Sequence, residues 1–332
     1  VNQLGIIGAG SWGTALAIAL APRFERVMLW ARDAELVRDM DETRENRRYL
    51  AGIALPAQVS VTAQLERAAA GIPIVLTAVP SRYLRGQYQA LLPYLSAESI
   101  CVSATKGIET GTLLRMSEVI EDTLGSAFGP RIAVLSGPTF AKEVAAGEPA
   151  AVVIASGESE LASRVQVAFS GPVLRFYTSR DVVGVEIGAA LKNVIAIGAG
   201  ICHGLGLGGN TLAALVTRGL AESTRLAVAL GGEARTLAGL AGLGDLVLTS
   251  TGDLSRNRYV GVQLANGRTL EEIVTGMDQI AEGVDTCKAA QELARKTGVE
   301  MPITEAMYEI LYAGKPVRRA IQDLMERPLT NE

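Results

Sequence analysis

Apolar residues in the first half of the chain fall into short runs. They cover Gln3–Gly8, Arg26–Trp30, Ile74–Val79, Ser99–Ala104, Ile132–Leu135, Ala151–Ala155 and Val173–Tyr177, and each predicts a strand. Between them, apolar positions recur at helical spacing in Ser11–Leu20, Ala34–Asp41, Leu113–Leu124 and Ser159–Phe169. Strands alternating with helices predict an α/β unit with a parallel, doubly wound sheet. After Asp181, which is placed to cap a helix through Glu186, Lys192 and Ile201, strand signals stop. Helical spacing then covers Thr211–Leu230, Glu233–Leu240, Arg258–Asn266, Thr269–Thr275, Asp285–Thr297, Ile303–Leu311 and Pro316–Met325. The pattern predicts a Rossmann-type domain over residues 1–185 and an all-helical domain over 186–332.

Composition fits that division. The chain has 332 residues, 48% of them hydrophobic, enough for two cores. Its net charge is −4 and no Lys/Arg run stands out, so the footprint of a nucleic-acid binder is missing. An anionic substrate has to be met by local cations. Cys101, Cys202 and Cys287 lie far apart and His203 is the single histidine, so neither a disulfide framework nor a metal site is predicted, in keeping with a reducing compartment. The apolar stretch Val182–Leu207 carries Glu186 and Lys192 and falls short of the roughly 18 uncharged residues of a membrane span. With a strand pattern at once after Val1 and no leader pattern, the expected location is the cytoplasm.

The chemistry begins at Gly8-Ala9-Gly10-Ser11-Trp12-Gly13. This G-x-G-x-x-G lies between a predicted strand and a predicted helix, the context of a dinucleotide cradle. Gly8 makes the tight turn, Gly10 admits a pyrophosphate, Gly13 lets helix and strand pack closely, and the helix start attracts phosphate. Beyond the second strand, a carboxylate favours NAD and an arginine NADP. Arg32 and Asp33 stand side by side there, and Arg32 tips the reading toward NADP. A second such glycine pattern, at Gly204, Gly206 and Gly209, follows a helix and reads as a connection between helices.

Six lysines stand against 25 arginines, which draws attention to each lysine. Lys106 lies just past the Ser99–Ala104 strand, at the edge where α/β sheets bind ligands; it suits a substrate phosphate or carbonyl, or is a surface lysine. Ser136-Gly137-Pro138-Thr139-Phe140-Ala141 follows a strand too, and reads either as an anion or ribose site or as a plain helix start. Lys192 is one cation in an apolar helix. Partial burial would lower its pKa and fit it for proton transfer, or it snorkels at a helix seam. Asp245 either orients Lys192, accepts a substrate hydroxyl or caps a helix. Ser255-Arg256-Asn257 joins hydroxyl, guanidinium and amide, a set suited to phosphate or to a capped surface helix.

In their order along nearly the whole chain these segments resemble the soluble NAD(P)-dependent glycerol-3-phosphate dehydrogenases of bacteria. The resemblance extends through Leu191-Lys192-Asn193-Val194, Gly242-Leu243-Gly244-Asp245-Leu246, Ala281-Glu282-Gly283 and Val299-Glu300-Met301-Pro302-Ile303-Thr304. It implies a helical domain like that of 6-phosphogluconate dehydrogenase, a homodimer, and reversible reduction of dihydroxyacetone phosphate to sn-glycerol 3-phosphate for glycerophospholipid synthesis. It implies cofactor contacts from Ser11, Trp12, Arg32, Lys106, Ala141, Arg256, Ile280 and Glu282. Substrate contacts would come from Lys106, Gly137, Thr139, Lys192, Asp245, Ser255, Arg256 and Asn257, with Lys192 moving the proton. Trp12 stands where the family often has Tyr or Phe. The Cys202–Asn210 loop varies within the family, so His203 reads as structural. Two other readings keep the fold: a hydroxyacid or ketopantoate-type reductase, which needs a carboxylate site, and a dinucleotide-binding protein without turnover.

Overall fold

The structure, a computed structural model, describes residues 2–277 and 280–329. It divides into two compact units, one of Val1–Lys106 and Leu114–Val185, the other of Gly107–Leu113 and Glu186–Glu332. A single cut after residue 185 misplaces residues 107–113, which cluster with the second unit.

The first unit is built on eight strands: β1 (Gln3–Ile7), β2 (Arg26–Trp30), β3 (Val59–Thr62), β4 (Ile74–Thr77), β5 (Ile100–Ser103), β6 (Ile132–Ser136), β7 (Ala150–Ala155) and β8 (Leu174–Ser179). Its helices are α1 (Ser11–Leu20), α2 (Ala34–Thr43), α3 (Leu84–Leu91), α4 (Met116–Leu124), α5 (Ala141–Ala145) and α6 (Ser159–Phe169). The strand order is β3-β2-β1-β4-β5-β6-β7-β8. The direction of winding reverses between β1 and β4, the point at which such sheets open a ligand crevice. β4, β5 and β6 are buried throughout, which is why they read as unbroken apolar runs. β8, at one edge, alternates instead: Leu174 and Phe176 point inward, Arg175 and Tyr177 outward.

The sheet is mixed and not wholly parallel, because β7 runs antiparallel to β6. The cause is the length of α5. Its five residues rise only about 7 Å, too little to carry the chain back along β6. α6, with eleven residues, makes the full return, and β8 pairs parallel with β7.

The second unit is helical: α7 (Val182–Gly204, whose first turn belongs to the first unit), α8 (Gly209–Ala229), α9 (Ala234–Leu237), α10 (Asp245–Thr251), α11 (Arg256–Ala265), α12 (Leu270–Thr275), α13 (Glu282–Thr297), α14 (Pro302–Tyr312) and α15 (Val317–Met325). Asp181 does cap α7, its Oδ1 accepting from the Gly184 amide at 2.8 Å. By length and composition α7 resembles a membrane span, but 89% of its apolar window is buried inside the protein, as in a core helix. Val194, Ile197 and Ile201 of α7 form a core with Val260, Ala306 and Ile310. α7 and α11 meet backbone to backbone, since a Cβ on Gly261 would lie 1.9 Å from the Ile197 carbonyl oxygen. A π-helical turn, Leu240–Gly244, leads into α10.

α14 begins at Pro302, and its next two amides find their partner far away in sequence. Glu222 of α8 accepts from Ile303 N at 2.6 Å and from Thr304 N and Oγ1 at 3.1 and 3.2 Å. Burial pushes the Glu222 carboxyl up to about 7, against the pull of those hydrogen bonds and of Arg225.

Candidate active site

In the first unit the glycine-rich loop leaves β1 and enters α1 as the spacing predicts. Gly8 has φ +113°, and a Cβ there would lie 2.7 Å from the Ala78 carbonyl oxygen. A Cβ on Gly13 would lie 1.8 Å from the Gly8 carbonyl oxygen, so α1 starts against the strand end. Gly10 differs: its Cβ would meet nothing within 4 Å. It is the N-cap of α1 and supplies no side-chain cap, so the positive end of the helix borders open space. These are the features a dinucleotide pyrophosphate requires. Asn46, fully buried, donates to the Ala9 carbonyl at 2.9 Å and to Thr14 Oγ1 at 2.8 Å, tying the loop in place.

The Arg32/Asp33 pair resolves into two roles. Asp33 caps α2, accepting from Glu35 N and Leu36 N, and pairs with Arg48 at 3.1 Å. Its carboxylate is thereby engaged. Arg32 is exposed, with its guanidinium 5.9 Å from the Tyr83 ring centre.

Lys106, Gly137 and Thr139 come together at the ends of β5 and β6. Lys106 Nζ donates to the Gly137 carbonyl at 3.3 Å, and Thr139 Oγ1 donates to the same oxygen at 3.3 Å. Thr105 anchors the Lys106 loop by donating to the Val79 carbonyl at 2.7 Å. Pro138 is not at the first turn of a helix as the sequence suggests, because α5 starts only at Ala141. The loop is held by close backbone approach instead, a Cβ on Gly137 lying 2.9 Å from the Val152 Cα. Ala141 and the half-buried Trp12 pack in one cluster where α1 and α5 meet. Two buried polar atoms here have no hydrogen-bond partner, Trp12 Nε1 and Ser136 Oγ.

In the second unit the main feature is a buried ion pair. Lys192 of α7 and Asp245 of α10 meet at 2.9 Å, their side chains 9% and 1% exposed. Lys192 also donates to Thr249 Oγ1 at 2.7 Å, and Thr249 donates to Asp245 Oδ1 at 3.3 Å. Asp245 therefore does not cap α10; it serves as counter-ion to Lys192. Thr249 is a residue that sequence reasoning missed. Its signal was the spacing of four from Asp245, which puts both on one helix face.

Ser255 is the N-cap of α11, accepting from Arg258 N at 3.2 Å, and its hydroxyl hydrogen is left to donate elsewhere. Asn257 donates to Asn193 Oδ1 at 2.9 Å and accepts from Gly283 N at 2.9 Å. Its carboxamide joins α7, α11 and α13, a structural role the sequence did not reveal, and retains one N–H. Arg256 is exposed and interacts electrostatically with the half-buried Glu282 at the start of α13. Ile280 is half-buried just before that helix.

Comparison with known proteins matches both units. Residues 3–162 match the family model for the N-terminus of NAD-dependent glycerol-3-phosphate dehydrogenase, and residues 181–322 match the model for its C-terminus. The chain belongs to the NAD-dependent glycerol-3-phosphate dehydrogenase family. A glycerol-3-phosphate dehydrogenase [NAD(P)+] of Koribacter versatilis is 55% identical over 334 residues, covering 100% of this chain and 99% of that protein. One from a Geobacter species is 52% identical over 331 residues, with 100% and 99% covered. The crystal structure of glycerol-3-phosphate dehydrogenase from Coxiella burnetii superposes with a TM-score of 0.93 at 38% identity, covering 98% of this chain and 99% of that one.

Proposed function

We propose that this chain catalyses the reversible reduction of dihydroxyacetone phosphate to sn-glycerol 3-phosphate with a nicotinamide coenzyme. The observation that carries the reading is the buried Lys192–Asp245–Thr249 cluster, an ammonium group fixed in place in a chain of this family. A nicotinamide coenzyme, when bound in its reduced form, would supply the hydride for the ketone carbon. The developing alkoxide then needs a proton, and Lys192 gives it from its ammonium group; in the oxidative direction the amine takes it back. Asp245 and Thr249 hold Nζ in position. Arg256 provides a bidentate fork for the substrate phosphate, with the Ser255 hydroxyl and the remaining Asn257 N–H as neutral donors. In the first unit, Lys106, Gly137 and Thr139 offer a cation, a backbone group and a hydroxyl to a bound ligand.

For the coenzyme, Gly8, Gly10, Ser11, Trp12 and Gly13 form the pyrophosphate cradle, with Ala141 beside Trp12. Lys106, in the same unit, is a further contact. Arg32 selects NADPH, since Asp33, the residue suited to a ribose hydroxyl, is already engaged as a helix cap. The enzyme works as a cytoplasmic homodimer whose product feeds glycerophospholipid synthesis. Coenzyme oxidation is the test, with dihydroxyacetone phosphate and ketopantoate offered in parallel, each with NADH and NADPH. Turnover of the phosphate ester, faster with NADPH, is expected. Turnover of ketopantoate alone would transfer the chain to the carboxylate reductases.

A further inference from the structure

A cavity of about 130 Å³ opens in the helical unit where α7, α8, α10 and α11 converge. His203, Gly208, Gly209, Ser250 and Arg258 line it, with Leu207 and Leu212 as apolar wall. None of these residues has a part in the reaction proposed above. At about 30 Å³ per water, the cavity holds roughly four waters, room for one small polar group.

Three independent features give it a sign. First, it contains the start of α8. Gly208 is the N-cap of this 21-residue helix and offers no capping side chain. Among the described residues the amides of Gly209 and Asn210 have no hydrogen-bond partner. A Cβ on Gly208 or Gly209 would meet nothing within 4 Å, so packing does not demand glycine there; its effect is to leave the positive helix end bare. Second, the Ser250 hydroxyl is fully buried and has no hydrogen-bond partner, although its neighbour Thr251 bonds back to the Val247 carbonyl. Third, Arg258 brings a guanidinium with only 15% of its side chain exposed. Its ion-pair partner, Asp253, is 93% exposed, so the pair is weakened by solvent. His203 adds a ring N–H. The C-terminal carbonyls of α7, which would repel an anion, are already occupied: Ile201, Cys202 and His203 accept from Leu205, Leu207 and Gly206.

We propose that this cavity binds a phosphoryl group, held by the Gly209 amide, the Ser250 hydroxyl, Arg258 and His203. The inference does not depend on the catalytic reading and is tested without turnover. Because His203 is the single histidine, selectively labelled histidine gives one imidazole signal. The full-length protein is titrated with inorganic phosphate at one pH, against chloride at matched ionic strength. A saturable shift of the His203 signal is expected with phosphate and not with chloride. It persists in Arg256→Ala, which separates it from the substrate phosphate site. Arg258→Gln weakens it by about tenfold or more, through loss of a charge-assisted hydrogen bond. Ser250→Ala, which removes a hydroxyl the fold does not use, weakens it without loss of folding. Phenyl phosphate binding more tightly than inorganic phosphate identifies a monoester whose apolar part rests on Leu207 and Leu212; weaker or equal binding identifies the free ion. No saturable shift beyond the chloride control, or one untouched by both Arg258→Gln and Ser250→Ala, overturns the proposal.

Discussion

Glu222 gives the pH dependence of stability a definite sign. Its carboxyl is 1% exposed and binds a proton near pH 7, against an ordinary value of 4.5. Below pH 4.5 the group is protonated in both folded and unfolded chains and contributes no slope. Between 4.5 and about 7 the folded chain holds a proton that the unfolded chain has lost. Unfolding therefore releases a proton, and stability falls as pH rises through this window. At roughly 1.4 kcal/mol per pH unit the whole effect is about 3 kcal/mol. In Glu222→Gln the site no longer titrates. At the acid end the variant should be less stable by about 1–3 kcal/mol, because its amide turns N–H donors toward the amides of Ile303 or Thr304. That deficit should shrink as pH approaches 7. The assay is urea denaturation of both proteins at several pH values, taking the difference between them so that other titrating groups cancel. A difference that stays constant across the window, or grows with pH, refutes the argument.

Arg256→Ala should chiefly raise KM for dihydroxyacetone phosphate, since phosphate contacts serve ground and transition states alike; an unchanged KM in steady-state kinetics removes Arg256 from the site. Arg32→Ala should lower kcat/KM with NADPH by about tenfold or more and leave NADH little affected, as expected for loss of a charge-assisted contact to a 2′-phosphate. Equal losses with both coenzymes would count against that role. Gly13→Ala puts a Cβ 1.8 Å from the Gly8 carbonyl oxygen and should destabilise the fold by about 1–3 kcal/mol or more, with weaker coenzyme binding by calorimetry. A melting temperature and affinity equal to the parent's would contradict the packing argument.

Much of the fold was legible because burial writes itself into the sequence. The central strands are buried on both faces and read as apolar runs, and the bounds of α1 and α6 agree with their spacing. β3 was not legible: it is four residues long at a sheet edge, and two of them, Ser60 and Thr62, are polar. The reversal of β7 was hidden for a different reason, since strand direction follows from the length of the short α5 and leaves no mark on the strand itself. α10 was obscured by the glycines of the π-helical turn before it. The pairing of Lys192 with Asp245 was one of several options that residue types left open; only the fold brings positions 53 apart in the chain to 2.9 Å. The roles of Thr249, Asn46 and Asn193 rest on side-chain geometry, to which sequence spacing gives at most a hint.

The most direct test of the account is the rate of the chemical step in Lys192→Ala, measured in a single turnover with saturating coenzyme and dihydroxyacetone phosphate. If Lys192 delivers the proton, the rate falls by about 10²–10⁴-fold while coenzyme binding is retained. A rate close to that of the parent protein would show that the proton comes from elsewhere, and the proposed role of the buried Lys192–Asp245–Thr249 cluster would be wrong.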